Sequence, residues 1–205
     1  MVQRREIESD SLVERAKAGD QQAVADLLGV YRNYLLLLAR VHIDANLQAK
    51  ADPSDLVQET CLKAARDLPQ FRGETEAEFV AWLRQIMANT GAAMIRQFKG
   101  TQSRAVGREH HFEQQLDRSS IALAGLLTAP GASPSRIASR REAAVVLADA
   151  LSQLPSEYRE ALVLFHLEGL SLAEVAERMG RSVASVRGLR TRAAVKLRTL
   201  MKEPT

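Results

Sequence analysis

Between Ser171 and Arg192 the sequence reads "SLAEVAERMGRSVASVRGLRTR", and its start and stop signals leave room for little besides two short helices meeting at a tight turn. Ser171 and Glu174 form an S-x-x-E capping box, in which each side chain satisfies an end-group N–H of the other, so a helix starts at Leu172. Gly180 ends it, because a tight helix-to-helix turn needs a left-handed residue that glycine adopts at least cost. Ser182 then caps a second helix. Ala176, before the glycine, is small enough to let the helices approach, and Val186 and Leu189, after it, are placed to pack on the first helix. Small, Gly, then apolar at these offsets is the sequence form of a helix-turn-helix.

The second helix is strongly cationic. Arg181 to Lys202 holds seven Lys and Arg residues and no Asp or Glu, while the whole chain has a formal charge of only +3. The remainder is therefore net acidic, a polarity that suits two surfaces with different partners. Ser185, Arg187, Arg190, Arg192 and Lys196, with Arg181 at the turn, are the candidate DNA-binding residues. Side chains at the N-terminal end of such a helix enter the major groove, where a bidentate Arg–guanine pair discriminates by roughly 1–3 kcal/mol. Helix geometry favours Ser185, Arg187 and Arg190 for bases, and later cations for phosphates, which set affinity and salt dependence. A solvated basic face is the bland alternative. Spacing, both caps and one-sided charge together outweigh it.

The rest of the sequence predicts an all-α protein of two small helical domains, a helix bundle and a helix-turn-helix domain, joined by a flexible linker. Residues 10–18 suggest a short helix, and Asp20 caps a longer one with an apolar stripe at Val24, Leu27, Leu28, Tyr31, Leu35 and Leu38. Asp52 and Pro53 open the next helix, in which Leu56, Leu62, Ala65 and Leu68 are expected to be buried. Thr75 and Glu78 form a capping box for a helix holding Phe79, Trp82, Leu83 and Ile86, with Gly91 a possible bend. Residues 105–136, polar and then rich in Pro, Ser and Gly, read as a linker between domains at 1–104 and 137–205. Further helices are expected at 137–153 and 157–167.

Other chemistries find little support. Cys61 is the single cysteine, so no intramolecular disulfide forms. Adjacent His110 and His111, beside Glu109, offer no preformed metal geometry. Neither a phosphate-binding glycine loop nor a nucleophile motif occurs, so no catalytic residues, cofactor or metal are expected. "MVQRREIESD" is not a signal peptide and the apolar runs are too short to insert in a membrane, which points to the cytoplasm.

Three motifs in order, "DLVQETCLKA", "FVAWLRQIMAN" running into "MIRQFKG", and "LPSEYREALVLFHLEGLSLAEVAERMGRSVASVR", resemble regions 2.2, 2.3–2.4 and 4 of bacterial extracytoplasmic function (ECF) sigma factors. The resemblance covers nearly the whole chain outside the linker. It implies a sigma factor that binds core RNA polymerase, through the β′ clamp helices and the β flap, and directs recognition and opening of promoter DNA. An anti-sigma factor is a further partner it leaves room for. On this resemblance Asp55, Leu56, Gln58 and Glu59 belong to the clamp-docking surface, and Asp55, Gln58, Glu59 and Leu62 share a helix face by spacing. Trp82, Arg84, Asn89, Arg96 and Lys99 fall in the segment that engages the −10 element, although by spacing with Phe79 and Ile86 the Trp82 ring reads as core. The helix-turn-helix falls on the −35 element.

Two positions depart from the family: Ala93 replaces a frequent acidic residue, and Leu189–Arg190 reverses a frequent Arg–Leu order. The 32-residue linker averages roughly 30 Å end to end as a coil and reaches on the order of 100 Å extended, enough for promoter elements about 70 Å apart. The alternatives are a stand-alone helix-turn-helix regulator with a sensing or dimerising bundle, and a helical enzyme with a basic tail. The first predicts self-association and specific duplex binding without polymerase. The second needs a pocket of ionisable groups that the sequence does not offer.

Overall fold

A computed structural model describes residues 12–42, 52–99 and 135–202, with side chains for all of these but 95, 97–99, 135–143 and 202. Among the described residues every regular element is helical. The chain divides into two compact units, Met1–Arg118 and Ser119–Thr205, a division that falls inside the segment expected to be the linker.

The first unit holds α1 (residues 12–17), α2 (Gln21–His42), α3 (Pro53–Asp67) with a 3-10 turn at Leu68–Gln70, and α4 (Glu76–Lys99). Local chemistry sets the helix starts. Asp20 accepts hydrogen bonds from the N–H groups of Gln22 and Ala23 at 3.0 and 3.1 Å, and Arg15 grips its other oxygen with Nε and Nη2. These bonds, led by that from Ala23, hold the Asp20 carboxyl below its usual range. Asp52 accepts from Ser54 N–H at 2.7 Å, with Pro53 in the first helical turn. The Thr75–Glu78 box closes reciprocally at 3.1 and 3.3 Å.

Helices α2, α3 and α4 pack on one another. Leu27, Tyr31, Leu35 and Leu38 of α2 are buried, as are Leu56 and Leu68 from the second helical segment and Phe79 and Leu83 of α4. The phase of two helices differs from expectation. Val24 and Leu28 are only half-buried, because the α2 stripe centres on Ala23, Leu27, Tyr31 and Leu38. On α3 the core side is Leu56, Val57, Thr60 and Ala64, which leaves Ala65 half-buried and Leu62, almost diametrically opposite, 60 % exposed. Thr60 tolerates burial because its hydroxyl donates to the Leu56 carbonyl at 2.7 Å. Helix α4 continues through Gly91 to Lys99.

An aromatic cluster joins α2, α4 and the segment after α3. Phe71 lies 5.5 Å from Phe79 and 5.0 Å from Trp82 between ring centroids, and Tyr31 lies 5.3 Å from Phe79. Such pairs add about 0.5–1.5 kcal/mol each beyond the area they bury. Gly73 is required here by a close approach: a Cβ on it would stand 2.3 Å from Phe71 Cζ. Lys17 of α1 donates to the Gly73 carbonyl at 3.2 Å and sits over the Phe71 ring.

The second unit holds α5 (Ser135–Ser152), α6 (Ser156–His166), α7 (Leu172–Arg178) and α8 (Val183–Lys202). Helices α5 and α6 lie within two residues of their expected bounds. The Ser171–Glu174 box closes at 2.8 and 3.3 Å. Gly180 adopts φ 61°, and the Arg181 and Gly180 N–H groups bond to the Ala176 and Glu177 carbonyls, the Schellman pattern that the glycine signals. Ser182 accepts from Ser185 N–H at 3.2 Å. Val175 and Ala176 of α7, Val186 of α8 and Leu164 of α6 form one core cluster, and α8 packs against each of the other three helices. The segment 105–134, most of the expected linker, lies outside the described residues.

Candidate nucleic-acid and partner interfaces

In the first unit a shallow groove of about 470 Å³ runs between α3 and α4, lined by Asp55, Gln58, Glu59, Leu62 and Lys63 on one side and Thr90, Ala93 and Met94 on the other. Asp55, Gln58 and Glu59 are exposed, as expected of a docking face. Leu56 is not: at 1 % exposure it faces the core, one residue round the helix from Asp55, and it is corrected from docking residue to core residue. Lys63 bridges the groove, 3.5 Å from Glu59 and donating to Thr90 Oγ1 at 3.3 Å. With Lys63 offsetting Glu59, the Asp55 carboxylate leaves the groove net acidic, and Leu62 gives it an exposed apolar knob. Ala93 forms part of the wall. Cys61, half-buried nearby on α3, has its thiol pushed up by burial, the opposite of activation.

The five −10 candidates separate on α4. Asn89 is exposed, with Gln85 Nε2 donating to its Oδ1 at 3.3 Å, and Arg96 is half-buried on the same face two turns on. Arg84 is corrected: it is 6 % exposed and its Nη1 donates to Tyr34 Oη at 3.4 Å, a buried polar contact between α4 and α2. A guanidinium placed there braces the bundle. Trp82 is half-buried and packed on Phe71 and Phe79, in line with its helical spacing and not with a free stacking platform. The Lys99 side chain lies outside the described residues, as do His110 and His111. Gln85, beside Asn89, is a surface residue that sequence reasoning passed over; its spacing from Asn89 was the available signal.

In the second unit, α8 buries Val186, Leu189, Ala193 and Leu197 and turns Arg187, Arg192 and Lys196 to solvent. Ala184, Gly188, Thr191 and Val195 recur at three- and four-residue steps along the centre of the outward face. A Cβ on Gly188 would meet Arg192 Nη2 at 3.6 Å, so the Arg192 side chain folds back along the helix past Gly188. Ser185 is half-buried near the N-terminal end. Arg190 is not a freely projecting cation: its Cζ stands 4.3 Å over the Phe165 ring of α6, and it helps burial to lower the neighbouring His166 pKa. The order Leu189–Arg190 follows from this packing, Leu189 filling the helix-turn-helix core and Arg190 stacking on α6. Arg181 is ion-paired to Glu157.

Comparison with known proteins assigns both units. Residues 22–101 match the sigma-70 region 2 family and residues 144–197 match sigma-70 region 4. The RNA polymerase sigma-H factor of Pseudomonas aeruginosa is 30 % identical over 203 residues, covering 96 % of this chain and 97 % of that protein. The chain belongs to the ECF sigma factor family. The ECF sigma-E factor of Haemophilus influenzae is 29 % identical over 182 residues, covering 89 % of each chain. Among solved structures, CnrH in complex with the cytosolic domain of CnrY aligns with 96 % of this chain and 99 % of its own at 24 % identity, with a TM-score of 0.35. As an ECF sigma factor the protein binds core RNA polymerase and promoter DNA and directs transcription initiation. No helix among the described residues is long and apolar enough to cross a membrane.

Proposed function

We propose that this sigma factor divides its work between three surfaces. The α3–α4 groove, with Asp55, Gln58, Glu59 and Leu62, docks on the β′ clamp helices of core polymerase. Its net negative charge suits a basic partner, and Leu62 supplies the apolar area that docking buries. The outward side of α4, with Asn89 and Arg96, engages the −10 element. Asn89 has the donor and acceptor needed for a base edge, and Arg96 a charge for phosphate. The outward face of α8 engages the −35 element, with Arg187 at its N-terminal half and Arg192 and Lys196 gripping backbone. Arg190, stacked on Phe165, serves at the rim of that surface. The linker at 105–136 spans the two DNA elements, and region 4 meets the β flap.

The protein works in the cytoplasm, as a specificity subunit and not as an enzyme. Its binding to DNA is weak until polymerase aligns both units, because each module alone contacts few bases and the two act together only when held in register. An anti-sigma factor that covers the α3–α4 groove would compete with core polymerase for the same face.

The observation that supports this division best is Leu62, a large apolar side chain 60 % exposed amid Asp55, Gln58 and Glu59. The test reverses charge with Asp55→Lys and Glu59→Lys together. Core binding is expected to weaken while affinity of the same full chain for duplex DNA is retained. Parallel loss of both activities counts against a docking surface.

A further inference from the structure

Arg181 lies in the turn before α8, with its N–H bonded to the Ala176 carbonyl at 2.9 Å. Its Nη2 meets Oε1 of Glu157, in the first turn of α6 and 24 positions earlier in sequence. Both side chains face solvent, at 37 % and 52 % exposure, so a third charged group can reach them. Helix α8 has no acidic residue in its first turn, and none follows through Lys202. The carboxylate at this end of the cationic surface is therefore brought there by the fold, from another helix. A helix N-terminus with adjacent cations favours an anion, and DNA offers phosphates for that place. An exposed ion pair, in contrast, contributes little to folding stability.

We propose that Glu157 is an affinity-setting competitor for DNA phosphate: it holds the Arg181 guanidinium in the free protein, and a phosphate must displace it before Arg181 grips the backbone. The proposal rests on the reading of α8 as the DNA-binding helix. Phosphate contacts are blind to sequence, so Glu157 lowers affinity for all duplexes alike and leaves base preference unchanged. Its effect is to keep the free sigma factor from dwelling on arbitrary DNA, while a promoter held by polymerase loses only a small share of its total grip.

The test measures fluorescence anisotropy of a labelled duplex of about 30 base pairs and arbitrary sequence with the full chain at low salt. Glu157→Gln is expected to bind about two- to fivefold tighter, the range an exposed ion pair supplies. The gain should shrink as salt screens both contacts. It should vanish in the Arg181→Ala background, because the carboxylate then has nothing to withhold. No gain in Glu157→Gln, or an equal gain with and without Arg181, overturns the proposal; the latter outcome means general repulsion between Glu157 and DNA. Arg187→Ala separates the two layers of inference. If it leaves duplex affinity unchanged, the reading of α8 fails, whatever Glu157 does. A tighter-binding variant is not produced by misfolding, so the central outcome stands clear of stability effects.

Discussion

Replacing Leu62 by Ala separates docking from folding in one side chain. Full burial of a leucine is worth about 1.5–3 kcal/mol. Leu62 is 60 % exposed in the free protein, so a partner that covers it gains roughly 1–2 kcal/mol from the remaining area. Leu62→Ala forfeits most of that, which weakens core polymerase binding by about 5- to 30-fold. Folding stability should change by no more than about 0.5 kcal/mol, as for other surface substitutions. Leu56→Ala is the contrast: at 1 % exposure its truncation costs about 2–5 kcal/mol of stability. The assay is competition between each variant and the labelled parent for core polymerase, beside thermal unfolding of the free chains. A docking role for Leu62 is contradicted if Leu62→Ala binds core within twofold of the parent, or unfolds as early as Leu56→Ala.

Other expectations follow from single contacts. Gly73→Ala pushes a Cβ to 2.3 Å from Phe71 Cζ and displaces a ring that packs on Trp82, the sole tryptophan; a loss of about 1–3 kcal/mol and a shift in tryptophan fluorescence should accompany each other. Arg84→Ala should lower the melting temperature by removing the buried bond to Tyr34, whereas Asn89→Ala should leave melting unchanged and impair promoter opening, read by permanganate footprinting. Burial lowers the His42 pKa from 6.5 to about 4, so the unfolded chain takes up the proton first. The contribution of His42 is thus fully present above pH 6.5 and is lost as pH falls toward 4, by at most about 3 kcal/mol. An NMR titration of the histidine ring in the folded chain should find a midpoint near 4, and a midpoint near 6.5 would contradict its burial.

What was legible in the sequence was local. The caps at Asp20, Asp52, Thr75 and Ser171 and the left-handed turn at Gly180 are set by side chains acting on backbone groups a few residues away, and each formed as its residues indicate. Helical phase was less legible where apolarity gave the wrong weight. Leucine ranks above threonine as a core residue, yet Thr60 is buried with its hydroxyl bonded to Leu56 while Leu62 faces out. Charged residues misled for a different reason. Arg84 reads as a surface cation until Tyr34, fifty positions earlier, is brought beside it. Arg190 over Phe165 and Arg181 on Glu157 are likewise pairings between helices, and no periodicity within α8 encodes them. Contacts of this kind decide which cations remain free for DNA, so the candidate site was readable as a surface but not side chain by side chain.

On the proposed division of work, one chain joins docking on core polymerase to the reading of two promoter elements. Transcription in vitro by purified core polymerase, on a library of genomic promoter fragments with mapped 5′ ends, tests it most directly. The expected result is a defined set of start sites that appears only when this protein is added and is lost with the Asp55→Lys, Glu59→Lys variant. Start sites identical to those of core polymerase alone would contradict it.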